Sequence, residues 1–233
     1  MAATKKPRTA RPPLSEHRVV VAAVKLADRH GIDAVTMRSL ARELGVEAMS
    51  LYHHVPNRDA ILDGMVDAVF AEIALSSGSD WKEALRDRAT RVRSALSHHK
   101  WAIGLMDSRR NPGPHTLGHH NAVLGTLRGA GFTLALAAHA YALLDSYVYG
   151  FVLQELSLPF DSTEGAREVA QEILAALPVD AYPHLVELTT NHVLAEGYSF
   201  ASEFHFGLTL VLDGLELQFR ARPRQADTPM PSG

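Results

Sequence analysis

The sequence predicts an all-α protein, with a three-helix helix-turn-helix domain at the N-terminus followed by a larger helical domain. Three observations carry that prediction. Apolar residues recur at helical spacing, while no segment shows convincing period-two alternation and no Asn-Gly or Asp-Gly turn joins two apolar runs. The stretch from Val35 to Leu62, VTMRSLARELGVEAMSLYHHVPNRDAIL, has the punctuation of two short helices joined by a glycine turn and followed by a third. The charge is also split. Residues 1–60 carry ten Lys or Arg against six Asp or Glu, and residues 61–233 carry thirteen against twenty, so the net −3 hides a basic head and an acidic body.

In chain order, residues 1–14 read as a disordered basic arm. Lys5, Lys6, Arg8 and Arg11 stand among prolines with no acidic residue, which suits salt-dependent attraction to phosphates or simply a solubilising start. Residues 15–62 form the expected head. Ser15 opens a helix to about Arg29, and Gly31 stops it. Thr36 can cap the next helix, which places Leu40, Ala41 and Leu44 on one face, and Gly45 ends it by taking a left-handed conformation. A short helix then starts near Glu47 or Ala48. Leu51 and Val55 face inward, leaving Ser50, Tyr52, His53 and His54 outward, where hydroxyls, a phenol and imidazoles can meet phosphates or base edges. Pro56 closes this helix, and Asn57 can cap the next at Arg58. The shape also occurs as a plain packing unit in all-α domains, so by itself it leaves DNA contact open.

The body is assigned to residues 63–222, with a disordered tail at 223–233. The helix from Arg58 to about Leu75 has two apolar stripes, Ile61, Met65, Val69, Ile73 and Leu62, Val66, Phe70, Ala74, and is expected to connect head to body. After a loop at 76–79, Asp80 can cap a helix from Trp81 to about Leu96. Asn111 to Pro114 marks a break. Helices follow from about His115 to Gly129 and Thr133 to Leu156, weaker ones over about 164–177 and 181–194, and a last one from Ser199 to about Arg220. From Thr133 to Leu153 the only charge is Asp145, so that helix is apolar almost all round. The final helix places Phe204, Leu208, Val211, Leu212, Leu215 and Phe219 on one side, with Gly207 and Gly214 seven apart. The two helices read either as a dimer interface or as the centre of a single core.

Composition excludes several classes. With 46% apolar residues, 233 residues can bury a sizeable core, and without cysteine neither disulfides nor thiolate metal sites are available. No stretch reads as a membrane span and the N-terminus lacks the apolar core of a signal peptide, so a cytoplasmic protein is expected. HExxH, G-x-S-x-G and P-loop motifs are absent, and neither a cofactor nor a catalytic residue is expected. Thirteen histidines raise the question of a metal. His115 and His119 are four apart with His120 adjacent, yet no acid lies in that segment and Pro114 suggests a helix start, whose positive end disfavours a cation. His98–His99 and His53–His54 are expected to point apart on a helix. No metal site is therefore assigned.

Residues 15–62 resemble the N-terminal domain of the TetR family of one-component transcriptional regulators. The resemblance rests on the T-x-x-x-L-A opening at Thr36, the L-G-V turn at Leu44 to Val46, the L-Y-x-H-V run at Leu51 to Val55 and the basic Arg58. YALLDSYVYGFVLQE at 141–155 and FHFGLTLVLDGLELQF at 204–219 are similar to the two helices that pair across the two-fold axis in tetracycline-repressor-type members. The family implies a homodimer on double-stranded palindromic operator DNA, with a small-molecule effector. By position, Thr36, Arg38, Ala48, Met49, Ser50, Tyr52, His53, His54 and Arg58 would contact DNA, Arg38 reading a guanine or a phosphate and Arg58 meeting the backbone. Ala48 and Met49 stand where tetracycline-binding members carry a glutamine and a proline, so the operator should differ.

The dimer interface implied is Tyr141, Val148 and Val152 with Phe204, Leu208, Val211, Leu212, Leu215 and Phe219. Candidate effector contacts are Trp101, Leu105, Met106, Tyr141, Tyr147 and Gln154, with Tyr149 and Phe151 as further aromatics that could equally be core. The family's magnesium–tetracycline ligands are missing: Ala74 replaces one histidine, none lies near Leu105 and Met106, and Gln154 replaces the acid. Another, mostly apolar molecule is expected. The remaining readings are an all-α metal-dependent enzyme and a helical protein-interaction module.

Overall fold

The computed structural model describes residues 13–73, 80–106, 108–160 and 162–221. The basic arm up to residue 12, Ala74 and the expected tail at 223–233 lie outside the described residues. Among those described there are ten α-helices and no strand. They fall into two compact units, the described parts of Met1–Glu72 with His98–Gly118, and of Ile73–Ser97 with His119–Gly233.

The first unit is built by local signals in sequence. Helix α1 (Glu16–His30) starts where the Ser15 hydroxyl accepts from the Arg18 amide and stops at Gly31, whose φ of 79° suits glycine. A 3₁₀ turn at Ile32–Ala34 leads to α2 (Met37–Leu44), which has a full capping box: Thr36 Oγ1 accepts from the Ser39 amide, and Ser39 Oγ accepts from the Thr36 amide. Gly45 is left-handed, with φ 67° and ψ 41°. It turns the chain into α3 (Ala48–Leu51), only four residues long. Asn57 accepts from the Ala60 amide at 2.8 Å as α4 (Arg58–Glu72) begins.

A helix of four residues is not stable alone, because nucleation is unfavourable and tertiary packing must supply the stability. Leu51 and Val55 do so, both essentially fully buried in the cluster that joins Val19, Ala23, Leu40, Ile61 and Met65. Both apolar stripes of α4 are buried as far as they are described, from Ile61 through Ile73. At Gly64 a Cβ would lie 2.7 Å from a Val20 methyl, so glycine permits α1 and α4 to pack closely. This unit runs past the expected boundary at residue 62, because α4 completes its core and Trp101 and Leu105 pack on it from later in the chain.

The second unit comprises α5 (Trp81–His98) up to Ser97, α6 (Pro114–Gly129) from His119, α7 (Leu134–Leu156), α8 (Thr163–Ala176), α9 (Pro183–Leu188) and α10 (Phe200–Arg220). The weak pattern over 181–194 becomes the short α9 and a π turn at Thr189–Val193. By length and composition alone α7 is apolar enough to cross a membrane, although the sequence reads as having no span. Its buried face lines the core of this unit through Leu136, Leu144, Val148 and Val152, and α10 packs against it. Trp81, Phe132 and Phe219 form an aromatic cluster, with the two phenylalanine rings stacked 4.4 Å apart.

Of the residues that the resemblance assigns to a dimer interface, Tyr141 and Val211 are half-buried in the single chain. Val148, Val152, Phe204, Leu208, Leu212 and Leu215 are buried within one chain, and Phe219 stacks in the aromatic cluster. Each helix is apolar on two faces, and one of them packs within the chain. The outward stripe is Leu143 and Leu153 on α7 with Phe206, Leu210 and Leu217 on α10.

Candidate nucleic-acid interface and effector site

In the first unit, α2, the Gly45 turn and α3 each carry exposed side chains. Met49 is 74% exposed and Tyr52 47%, while Ala48 and Ser50 are half-buried and His53 and His54 exposed. A methionine so exposed is unusual for a side chain with no polar group, and its thioether and methyl offer apolar contact of the kind a thymine methyl accepts. Arg38 and Thr36 lie at the start of α2, both exposed. Arg38 has no hydrogen-bond partner among the described residues, whereas Arg29 is paired to Glu43 at 2.7 Å.

Arg58, expected to meet the phosphate backbone, is exposed and is also engaged within the unit. Its Nε donates to the Val35 carbonyl at 2.8 Å and its guanidinium also reaches the Ile32 carbonyl at 3.1 Å, so it clamps the segment entering α2. Two of its five donors are thus committed inward and help hold the α2 start in register.

The second unit buries a polar cluster that sequence reading only half located. Asp145, noted as the lone charge of its segment, accepts from Arg88 at 2.6 Å, and Arg88 is 1% exposed. Arg88 Nε donates to His119 Nε2 at 3.0 Å, so that nitrogen is an acceptor and the imidazole neutral. Burial, reinforced by the Arg88 charge and by His120, lowers the His119 pKa to about 3. His120 is hydrogen-bonded to the Tyr141 hydroxyl, and the Arg88 guanidinium lies 5.9 Å from the Tyr141 ring centre. Arg88 was missed although it falls between Leu85 and Val92 on the buried face of α5, a position where a charge needs a partner.

The other proposed effector contacts are dispersed. Trp101 donates its indole N–H to Asp28 at 2.7 Å and, with Leu105, packs against the core of the first unit. Met106 is buried and Gln154 exposed. Tyr147 donates to the Phe204 carbonyl at 2.8 Å, joining α7 to α10. Beside it, Arg93 pairs through two donors with Glu155 and lies 4.7 Å from the Phe204 ring centre. Tyr149 is half-buried, and Phe151 stacks on Phe200 at 5.1 Å. The histidines of α6 do not assemble as metal ligands, because His119 faces Arg88 and His120 faces Tyr141. His98 and His99, expected to diverge, are instead in contact, their ring centres 4.6 Å apart, because α5 ends at His98.

Residues 19–65 match the family described as bacterial regulatory proteins, tetR family, and residues 76–219 match the tetracyclin repressor-like C-terminal domain. An HTH-type transcriptional regulator from Saccharopolyspora erythraea is 34% identical over 207 residues, spanning 88% of this chain and 86% of the relative. The HTH-type transcriptional repressor DrrR1 of Streptomyces coeruleorubidus is 31% identical over 90% of this chain and 80% of its own length. Among solved structures, Streptomyces coelicolor ActR in complex with actinorhodin superposes with a TM-score of 0.75 at 28% identity, covering 89% of this chain and 98% of ActR. The first two are named as a transcriptional regulator and a transcriptional repressor, and the third as a TetR family protein. An all-α fold with this helix-turn-helix segment, matched to family domains from residue 19 to residue 219, makes the chain a member of the TetR family of transcriptional regulators.

Proposed function

We propose that this regulator represses transcription by binding a palindromic operator as a homodimer, and that a small, mostly apolar effector other than magnesium–tetracycline releases it. The observation that carries the DNA reading is the strip around Met49 and Tyr52, exposed on a segment whose backbone is anchored by Leu51 and Val55. A fixed backbone with outward, unengaged side chains is what direct readout of a major groove needs. Arg38 supplies the charge beside it, and Ser50, His53 and His54 flank it.

The dimer reading is supported by the outward stripe of α7 and α10, where Leu143, Leu153, Phe206, Leu210 and Leu217 expose apolar surface of a kind monomers rarely present. Two recognition segments related by a two-fold axis require half-sites about one helical turn apart or slightly more. The effector reading draws on the Arg88–His119–Asp145 cluster with Tyr141, a few polar groups set in an apolar body, and on ActR, solved with actinorhodin and with (S)-DNPA. An effector must bind the released conformation better than the DNA-bound one to switch anything.

The test is a gel shift and footprint against the intergenic DNA flanking the gene. A protected palindrome is expected, with Tyr52→Ala and Arg38→Ala each weakening binding by about tenfold or more while leaving the helical circular dichroism unchanged. Absence of binding to any flanking duplex at low salt would overturn the DNA reading. Micromolar binding of magnesium–tetracycline in calorimetry would overturn the effector reading.

A further inference from the structure

We propose that the first compact unit binds a divalent transition-metal ion, zinc being the probe of choice, through Asp28, His98 and His99. Asp28 sits in the last turn of α1, His98 is the last residue of α5 and His99 follows it. Because the helix stops between the two histidines, their side chains converge instead of diverging. One carboxylate oxygen and one ring nitrogen from each histidine all lie within 4.8 Å of one another.

The surroundings orient these groups as the neighbours of a metal ligand do. His99 is 2% exposed, with Nδ1 2.8 Å from Asp28 Oδ1 and Nε2 3.1 Å from Glu72 Oε2. Both ring nitrogens face carboxylates, so a metal ion would displace the proton that Nδ1 shares with Asp28 while Glu72 accepts from Nε2–H, giving the carboxylate–histidine–metal arrangement that fixes a ligand's tautomer. Trp101 donates to the same Asp28 oxygen at 2.7 Å and holds the carboxylate in place. Two imidazoles and a carboxylate suit zinc, nickel or copper, whose bonds to such atoms are about 2.0–2.2 Å, leaving a fourth position to water. Ligand atoms sharing such an ion stand about 3.3 Å apart. The Asp28–His99 pair therefore opens by about half an ångström, and His98, exposed at the rim, swings in to complete the set. Two carboxylates, from Asp28 and Glu72, supply the negative charge that favours a cation there.

The experiment uses the full, tag-free, metal-stripped chain, titrated with zinc against a chromophoric chelator. One zinc per chain at micromolar affinity or tighter is expected, raising the thermal midpoint by mass action. His98→Ala and Asp28→Asn should each weaken binding about 10- to 100-fold and abolish the thermal shift, while His115→Ala leaves both unchanged. His98 is exposed, so its variant keeps the fold, and cobalt bound in place of zinc gives a visible spectrum that the same variant removes. Failure of zinc to bind, or zinc binding untouched by His98→Ala and Asp28→Asn, would show a hydrogen-bonded cluster without a metal. No DNA enters the assay, so its outcome is independent of the operator reading.

Discussion

His119 is neutral because it is buried against a guanidinium, and that has a direct consequence for acid stability. Its pKa falls to about 3 in the fold from the usual 6.5. As pH drops below 6.5 the unfolded chain takes up a proton that the folded chain refuses, so stability is complete above 6.5 and declines towards 3 at up to about 1.4 kcal/mol per pH unit. Urea unfolding between pH 7 and 4.5 should therefore show a falling midpoint. His119→Gln, which keeps an acceptor for Arg88 and does not titrate, should flatten that part of the profile; an unchanged slope would locate the acid sensitivity elsewhere. Individual residues were unevenly legible. Thr36, Gly45 and Asn57 act locally, so their caps and turn could be read directly from the sequence. Arg58, Arg88 and His99 have partners 23 to 71 positions away, and nothing in the sequence near them names those partners.

The pairing of α7 with α10 distinguishes two glycines that look equivalent in sequence. A Cβ on Gly207 would meet the Tyr147 hydroxyl at 2.4 Å and its ring at 2.9 Å, while one on Gly214 would meet nothing within 4 Å. Gly207→Ala should displace Tyr147 from its bond to the Phe204 carbonyl and cost about 1–3 kcal/mol in chemical denaturation. Gly214→Ala in an isolated chain should stabilise α10 by up to about 1 kcal/mol. A loss at Gly214 in the native assembly would mean that a second helix approaches there. Helix periodicity finds both elements to within a residue or two, and on α10 it picks out the face that the single chain buries. A helix apolar on two sides has a period but no label saying which side meets its own chain.

For the whole molecule, the prediction concerns assembly. Leu210→Glu places a charge in the exposed stripe without touching the buried face, so it should convert a dimer to monomer in sedimentation and lower operator affinity, with helicity retained. A wild-type monomer at micromolar concentration would refute the assembly. The head's fold was legible because caps, a glycine turn and a short apolar repeat all lie within fifty residues. The body's polar cluster was not, since it joins α5, α6 and α7 across long sequence separations.

Asp145 sits at the middle of α7, twelfth of twenty-three residues in the described segment most able to cross a bilayer. Before its neighbours fold around it, such a segment has the length and apolarity of a membrane span. An aspartate at the centre of a helix raises the free energy of insertion by about 2.5–3.5 kcal/mol. The same carboxylate that later locks Arg88 into the core thus weighs against the nascent chain's diversion into the membrane. A leucine there would remove a core ion pair and a safeguard of biogenesis together.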